Sequence, residues 1–179
     1  MTHNIPDWDT YYFNQCKVIQ TRSKDKHTQC GCIIVSQDNR PLSQGYNSLP
    51  SGANDDVPER YQRPTKYLYQ VHSERNGVYS AARHGIALDG SKIYVTGLPC
   101  MDCAQAIIQA GIREVIYDGE RQARWNSPLY QDGDRVRELL EECGVHVREW
   151  WPTSTRTSLE PKEGPFEPQE DPKWEEFDA

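Results

Sequence analysis

The chain has 179 residues, a length typical of one domain, and 36% hydrophobic and 26% charged residues indicate a folded protein. Its formal net charge of -7 is uneven, because residues 153–179 hold eight acidic side chains against three basic ones. The rest of the chain is therefore close to neutral, which argues against a binding surface for long nucleic acid, since phosphates require clustered Lys and Arg. A small anionic ligand remains compatible with this charge.

The amino-terminal sequence and the cysteines both indicate a reducing compartment. Residues 1–15 lack the basic, apolar and small-residue order of a secretory signal, and no apolar run approaches the length of a membrane span. We therefore expect a cytoplasmic protein with no membrane partner. Thiols stay reduced there, so the six cysteines favour metal ligation or core packing over disulfides.

The first part of the chain predicts a helix, a hairpin and a long loop. Apolar side chains at helical spacing follow Asp7, a suitable N-cap residue, and predict a helix over residues 6–23. Two strand-like runs at residues 31–36 and 41–47 flank the turn sequence QDNR and predict a hairpin. Residues 48–69 contain three prolines and no sustained period, which favours a functional loop.

From residue 73 onwards, helices and strands alternate. The sequence predicts a helix over residues 73–84 with Val78, Ala81 and Ala82 facing inward. Further segments follow in the order strand, helix, strand, helix, strand, at residues 92–96, 101–111, 113–117, 134–144 and 145–150. The whole order predicts an α/β fold with three layers, α/β/α, around a mixed sheet of about five strands that includes parallel pairs.

The pattern ends after Pro152, which divides the chain into a folded domain, residues 1–152, and an acidic Pro-rich tail, residues 153–179. We interpret the tail as a solvated extension, although Phe166, Trp174 and Phe177 leave a docking segment open. Four cysteines are interpreted as core residues: Cys30 and Cys32 in the first strand, and Cys16 and Cys143 in helices.

Two cysteines carry a different signal. Cys100 and Cys103 lie one helical turn apart at the start of a predicted helix, where the helix dipole favours thiolates. Such a pair could serve a redox couple, a structural zinc or a catalytic metal. Among the histidines, His72 begins the other helix that follows a long loop, and Glu74 stands two residues later. In the first turn of a helix, both side chains can reach one site.

The combination of His-x-Glu with Pro-Cys-x-x-Cys is the signature of zinc-dependent nucleobase deaminases. His72, Cys100 and Cys103 are three protein ligands, which leaves the fourth position of Zn²⁺ open for water, as in catalytic sites. Zinc lowers the pKa of such a water toward neutrality for attack on C4 of cytosine. Glu74 is the expected proton shuttle to ring N3 and to the departing amine, so no organic cofactor is required.

On these residues the chain resembles the deoxycytidylate (dCMP) deaminases of the cytidine deaminase superfamily. The resemblance covers residues 22–146 and includes the sequences GYNSLPSG, HSERNGVYSAA and LPCMDCAQAIIQAGIREVIY. It implies a cytidine-deaminase-like fold and hydrolysis of dCMP to dUMP and ammonia, a step toward dTTP. It also implies that Asn47 contacts the substrate, and that Ser23, Lys24 and Tyr130 lie near its 5′-phosphate.

The resemblance further implies regulation and assembly. Many members of the family bind dCTP as activator and dTTP as inhibitor, with Mg²⁺, at a site that would include Asn47 and Ser48 here, and regulated members are hexamers. The sequence departs from the family pattern at Ser48, where Gly is usual, and at Ser73 and Gly77, where Ala is usual. We expect regulation by dCTP and dTTP and a homohexamer.

Other functions stay open at this point. The nearest alternatives are a deaminase of dCTP, or of both dCTP and dCMP. A tRNA deaminase would carry a basic surface, a free-nucleoside deaminase usually has Cys where His72 stands, and a riboflavin-pathway deaminase would lack GYNSLPSG. A catalytically silent, zinc-bound regulatory subunit is disfavoured by Glu74 but not excluded.

Overall fold

We describe the fold from a computed structural model, which covers residues 5–124 and 133–152. Six α-helices and five strands are found in these residues, together with a 3₁₀ turn at Pro58–Tyr61. The helices are α1 (Trp8–Gln20), α2 (Lys66–Tyr69), α3 (Ser73–His84), α4 (Met101–Gln109), α5 (Gly119–Arg124) and α6 (Gly133–Glu142). The strands are β1 (Gly31–Val35), β2 (Pro41–Tyr46), β3 (Lys92–Val95), β4 (Glu114–Asp118) and β5 (His146–Trp150).

The five strands form one mixed sheet in the order β2-β1-β3-β4-β5. Strand β1 pairs antiparallel with both β2 and β3, whereas β3, β4 and β5 are parallel. The predicted hairpin and parallel pairs are confirmed. The parallel strands are joined by crossover connections, with α4 between β3 and β4, and α5 and α6 between β4 and β5. Helices pack on both faces of the sheet, so the three-layer α/β/α prediction is also confirmed.

Two apolar clusters, one on each face of the sheet, form the core. On one face, α1 packs Tyr12, Phe13, Cys16 and Ile19 against the sheet around Tyr94. Helices α3, α4 and α6 cover the other face with a larger cluster of aliphatic side chains. Both faces of the central strands are therefore buried, as the continuous apolar sequence of β1 requires.

Two residues that the sequence predicted to face the core are exposed in the structure. Ala82 is exposed, because the inward face of α3 runs through Ser73, Glu74, Gly77 and Ala81, and a rotation of 100° turns the next residue away. Cys143 is exposed as well, because it lies just beyond the end of α6.

The 48–69 loop is more ordered than predicted, since it contains the 3₁₀ turn and α2, and Ser48 forms a β-bridge with Val71. Helix α5 was not predicted. In the described part of the chain, none of the helices combines the length and apolar character needed to cross a membrane.

Candidate metal centre and substrate cavity

His72, Cys100 and Cys103 meet at one point beyond the end of β3. Nδ1 of His72 lies 3.4 Å from Sγ of Cys100 and 3.6 Å from Sγ of Cys103. All three ligand atoms lie within 4.8 Å of one another. Cys103 is fully buried and the other two are partly exposed. These three side chains form a triangle of metal-ligating atoms that opens toward solvent on one side.

The starts of two helices place this triangle. His72 is the N-cap residue of α3 and Cys100 is the N-cap residue of α4, both in extended backbone conformation. Neither side chain caps its own helix, although N-cap side chains commonly do so. The side chains instead turn toward each other, while Cys103 comes from the first turn of α4. Two helix N-termini therefore converge on the thiols, and their dipoles favour the thiolate form.

The geometry and chemistry of the triangle fit Zn²⁺. Zinc–sulfur and zinc–nitrogen bonds of about 2.3 and 2.0 Å at tetrahedral angles place S and N about 3.5 Å apart. The two observed sulfur–nitrogen distances, 3.4 and 3.6 Å, bracket this value. Two thiolates and a neutral imidazole also neutralise a divalent cation. Three ligands leave one coordination position for a water or a substrate.

Hydrogen bonds couple the protonation of the three side chains in the triangle. The hydrogen bond with Cys103 lowers the pKa of Cys100, and His72 stabilises the same thiolate. The hydrogen bond to Cys100 raises the pKa of His72 above its ordinary value. Cys100 is therefore the thiol that ionises first, and metal binding must displace the remaining protons, so we expect binding to weaken as pH falls.

Glu74 lies beside the triangle but does not belong to it. Only 6% of its surface is exposed, and burial raises the pKa of its carboxyl group. Its Oε2 accepts a hydrogen bond of 2.8 Å from the hydroxyl of Ser73. A buried carboxyl group with a raised pKa, next to an open metal position, has the properties of a general acid–base.

His72 and Cys100 of the triangle, together with Glu74, line a cavity of about 350 Å³. This volume lies within the range of small-molecule binding sites. The lining residues come from five segments: the approach to β1, the end of β2, the 48–69 loop with α2, the start of α3, and the connection from β3 to α4. The cavity therefore lies at the carboxyl end of β3, beside its parallel neighbour, where α/β sheets commonly bind ligands.

The predicted substrate contacts are placed unequally. Asn47 is 4% exposed and lines the cavity. Its side-chain amide already bonds the neighbouring backbone, accepting from the N–H of Cys30 at 2.7 Å and donating to the carbonyl of Thr28 at 2.7 Å. These two hydrogen bonds hold Asn47 in place, so its side chain fixes the shape of this part of the cavity wall.

Of the other predicted contact residues, those that the structure describes do not line the cavity. Ser23 is buried, but it is not among the lining residues. Lys24 is largely exposed and pairs with Asp55 at 2.7 Å. Tyr130 lies outside the described residues. Ser48, the predicted allosteric residue, accepts a hydrogen bond of 3.1 Å from Asn76 and does not line the cavity.

Sequence reasoning missed a buried ion pair in the cavity wall. Lys66 and Asp25 lie 2.9 Å apart with side chains 5% and 1% exposed, and both line the cavity. Arg63 and Tyr67 line it from the same segment as Lys66. The prediction that residues 48–69 form a functional loop pointed to this segment, but no spacing rule joins residue 66 to residue 25.

A family model supplies the deciding comparison. The model described as the zinc-binding region of cytidine and deoxycytidylate deaminases matches residues 6–118, more than half of the chain. This chain belongs to that family. The family's zinc-binding region and the His72, Cys100 and Cys103 cluster together support Zn²⁺ as the metal of this deaminase domain.

Similar proteins agree with the assignment of the chain to this deaminase family. A probable deoxycytidylate deaminase of Drosophila melanogaster is 32% identical over 177 residues, covering 92% of this chain and 81% of its own length. The deoxycytidylate deaminase of Homo sapiens is 33% identical over 162 residues, covering 86% of this chain and 85% of its own.

Among solved structures, the dCMP deaminase of the cyanophage S-TIM5, crystallised in complex with dCMP and dUMP, is 27% identical with a TM-score of 0.64. It covers 83% of this chain and 100% of its own. The fold of this deaminase chain therefore matches that of a nucleotide deaminase.

Proposed function

We propose that the protein hydrolyses dCMP to dUMP and ammonia. The observation that carries the proposal is a zinc-type triangle of His72, Cys100 and Cys103 beside a buried Glu74 that is left out of it. A structural zinc site uses four protein ligands and no such carboxylate. The substrate is inferred from relatives that are deoxycytidylate deaminases and from the phage enzyme bound to dCMP and dUMP.

In this mechanism His72, Cys100 and Cys103 would hold Zn²⁺, and Glu74 moves protons. Bound zinc would supply the Lewis acid that makes a water molecule nucleophilic at neutral pH. Glu74 takes a proton from the attacking water as the water oxygen forms a bond to C4, and it delivers that proton to N3 of the cytosine ring. It then takes the proton of the new hydroxyl group on C4 and passes it to the amine on the same carbon. The C4–N bond then breaks as the carbonyl forms, and ammonia leaves. The raised pKa of Glu74 suits it to hold a proton between these transfers.

The cavity wall supports a substrate of this size and polarity. Asn47, held by two hydrogen bonds, offers a fixed polar surface in the lining, and Arg63 brings a positive charge to it, whereas the charge of Lys66 is paired with that of Asp25. Ser23, Lys24 and Tyr130 as phosphate contacts stay a prediction. Their test is a rise in KM for dCMP, but not for deoxycytidine, on substitution of Lys24 by Met.

Regulation and assembly are proposed from the family resemblance alone. We expect dCTP with Mg²⁺ to activate and dTTP to inhibit a homohexamer, as the resemblance implies. A cytoplasmic location and the division into a domain of residues 1–152 and an acidic tail also stay predictions. Sedimentation with and without dCTP and Mg²⁺ tests the assembly, and the dependence of rate on added dCTP tests the regulation.

Ammonia release by the zinc-loaded protein tests the function. We expect turnover of dCMP that exceeds turnover of dCTP, deoxycytidine and CMP, and loss of at least about 10³-fold in kcat for Glu74→Gln, because that change removes the proton shuttle. Zinc content should be the same in both proteins. Preference for dCTP would favour the alternative nucleotide, and absence of turnover with zinc bound would favour the silent regulatory subunit.

A further inference from the structure

Ser73 lies between the zinc ligand His72 and the proposed proton shuttle Glu74. Its hydroxyl donates a hydrogen bond of 2.8 Å to Oε2 of Glu74, although the two residues are adjacent in the chain. Ser73 is fully buried and Glu74 is 6% exposed, so water does not compete freely for this bond. A charge-assisted hydrogen bond in such surroundings is stronger than a neutral one.

Packing holds the donor in place. The carbonyl of Ser73 accepts a hydrogen bond from the buried thiol of Cys32 at 3.2 Å. Strand β2 approaches so closely that a Cβ atom at Gly45 would overlap the same carbonyl oxygen. The backbone that carries the hydroxyl is therefore fixed against two strands of the sheet, β1 and β2.

One further hydrogen bond reaches the carboxylate, from the backbone N–H of Glu74 itself. Within residues 5–124 and 133–152, the structure shows no second side-chain donor to Glu74 besides Ser73. Glu74 also lines the cavity, so the bond to Oε2 limits rotation of a carboxylate in the cavity wall. Proton transfer depends on placement of the carboxylate within tenths of an ångström, so a fixed orientation raises the rate of the chemical step.

We propose that Ser73 is a positioning residue that orients the carboxylate of Glu74 for proton transfer. The inference rests on the function proposed above and adds a residue to it. The related deaminases usually carry Ala at this position, so the hydroxyl distinguishes this chain from the common pattern. The resemblance by itself assigned no role to this difference.

Ser73→Ala removes the hydroxyl and little else. We expect kcat for dCMP to fall about tenfold or more, in line with a hydrogen bond to a charged group, while KM changes less than about twofold. Zinc content should not change. The matched control is Ser43→Ala, which removes a hydrogen bond of 2.7 Å from β2 to the carbonyl of Gly77 on the same helix, and which should leave kcat unchanged.

Each possible result is decisive. An unchanged kcat in Ser73→Ala overturns the inference, and an equal loss in Ser43→Ala shows that only helix packing matters. Crystal structures of the zinc-loaded proteins give a readout that needs no turnover: Glu74 should keep one orientation in the wild type and rotate or split in Ser73→Ala. An unmoved carboxylate would refute the positioning role, whereas an inactive wild type counts against the proposed function alone.

Discussion

At the scale of single residues, the cavity wall depends on a buried pair of opposite charges. Lys66 donates to Oδ2 of Asp25, whose Oδ1 accepts from the backbone N–H groups of His27 and Thr28. The carbonyl of Thr28 in turn accepts a hydrogen bond from the side-chain amide of Asn47. The ion pair therefore fixes the turn that supports Asn47, and each charge depends on the other because water reaches neither freely.

Removing one member of this pair should destabilise the fold strongly. We expect Lys66→Met to lower the free energy of unfolding by about 3–5 kcal/mol, because it leaves Asp25 buried without a countercharge. The double change Lys66→Met with Asp25→Asn should recover part of this loss. Urea unfolding measures both. Arg40→Met is the control, since its pair with Asp38 is exposed and should cost less than about 1 kcal/mol.

A cost below about 1 kcal/mol for Lys66→Met would show that water or another group neutralises Asp25. The ion pair would then have no structural role in the wall.

At the scale of elements, close packing between β1 and α3 depends on one glycine. A Cβ atom on Gly77 would lie 3.1 Å from Sγ of Cys32 and 3.3 Å from Cδ1 of Ile34. Cys32 is fully buried and its thiol is held by the carbonyl of Ser73, so it has little room to move. Cys32 and Ile34 on β1 therefore occupy the space that a side chain at position 77 of α3 would need.

Gly77→Ala should therefore destabilise the protein, even though Ala favours helix by about 1 kcal/mol over Gly. Overpacking of a tight core costs about 1–3 kcal/mol, which exceeds this gain. Combining it with Cys32→Ala should relieve the contact. We expect the double variant to be at least about 1 kcal/mol more stable than the sum of the single changes predicts, in a double-mutant cycle by urea unfolding. Additive changes would contradict the coupling.

At the scale of the whole molecule, Arg148 connects elements that are distant in sequence. From β5 its guanidinium contacts both carboxylate oxygens of Asp9 on α1, at 2.6 and 3.0 Å, and Glu114 on β4 at 3.2 Å. Tyr94 on β3 donates to the same Asp9 at 3.0 Å. One network therefore joins the first helix to three strands.

This network should make the free energy of unfolding depend on pH in the acid range. Burial by itself would raise the pKa of Asp9, but the hydrogen bonds and charge of Arg148 outweigh it and lower the pKa. The stabilisation is complete above the ordinary Asp pKa of 3.8 and is lost as pH falls through the lower folded value. In urea unfolding between pH 5 and 2.5, Arg148→Met should lose less stability on acidification than the wild type.

Arg83→Met is the control for this measurement, because it removes the same charge from an exposed position of α3. It should keep the acid dependence of the wild type. A dependence unchanged in Arg148→Met would show that other carboxylates, such as Asp25 with its lowered pKa, dominate acid unfolding.

The sequence by itself predicted the order of the main elements and the four residues that we propose for metal binding and proton transfer. Apolar periodicity and the helix-ending glycines are local signals, and His72, Glu74, Cys100 and Cys103 stand in two short motifs whose spacing fits the first turn of a helix. Their convergence could be predicted because the two motifs together are the signature of zinc-dependent nucleobase deaminases.

Only the tertiary structure decided which other residues meet them. The pair of Lys66 with Asp25 joins segments 41 residues apart, and the outward turn of Ala82 follows from which face of α3 packs against the sheet. The bond from Ser73 to Glu74 forms where strands β1 and β2 pack against the carbonyl of Ser73. Such contacts depend on distances of a few tenths of an ångström between elements, which packing sets and the pattern of residue types along the chain does not encode.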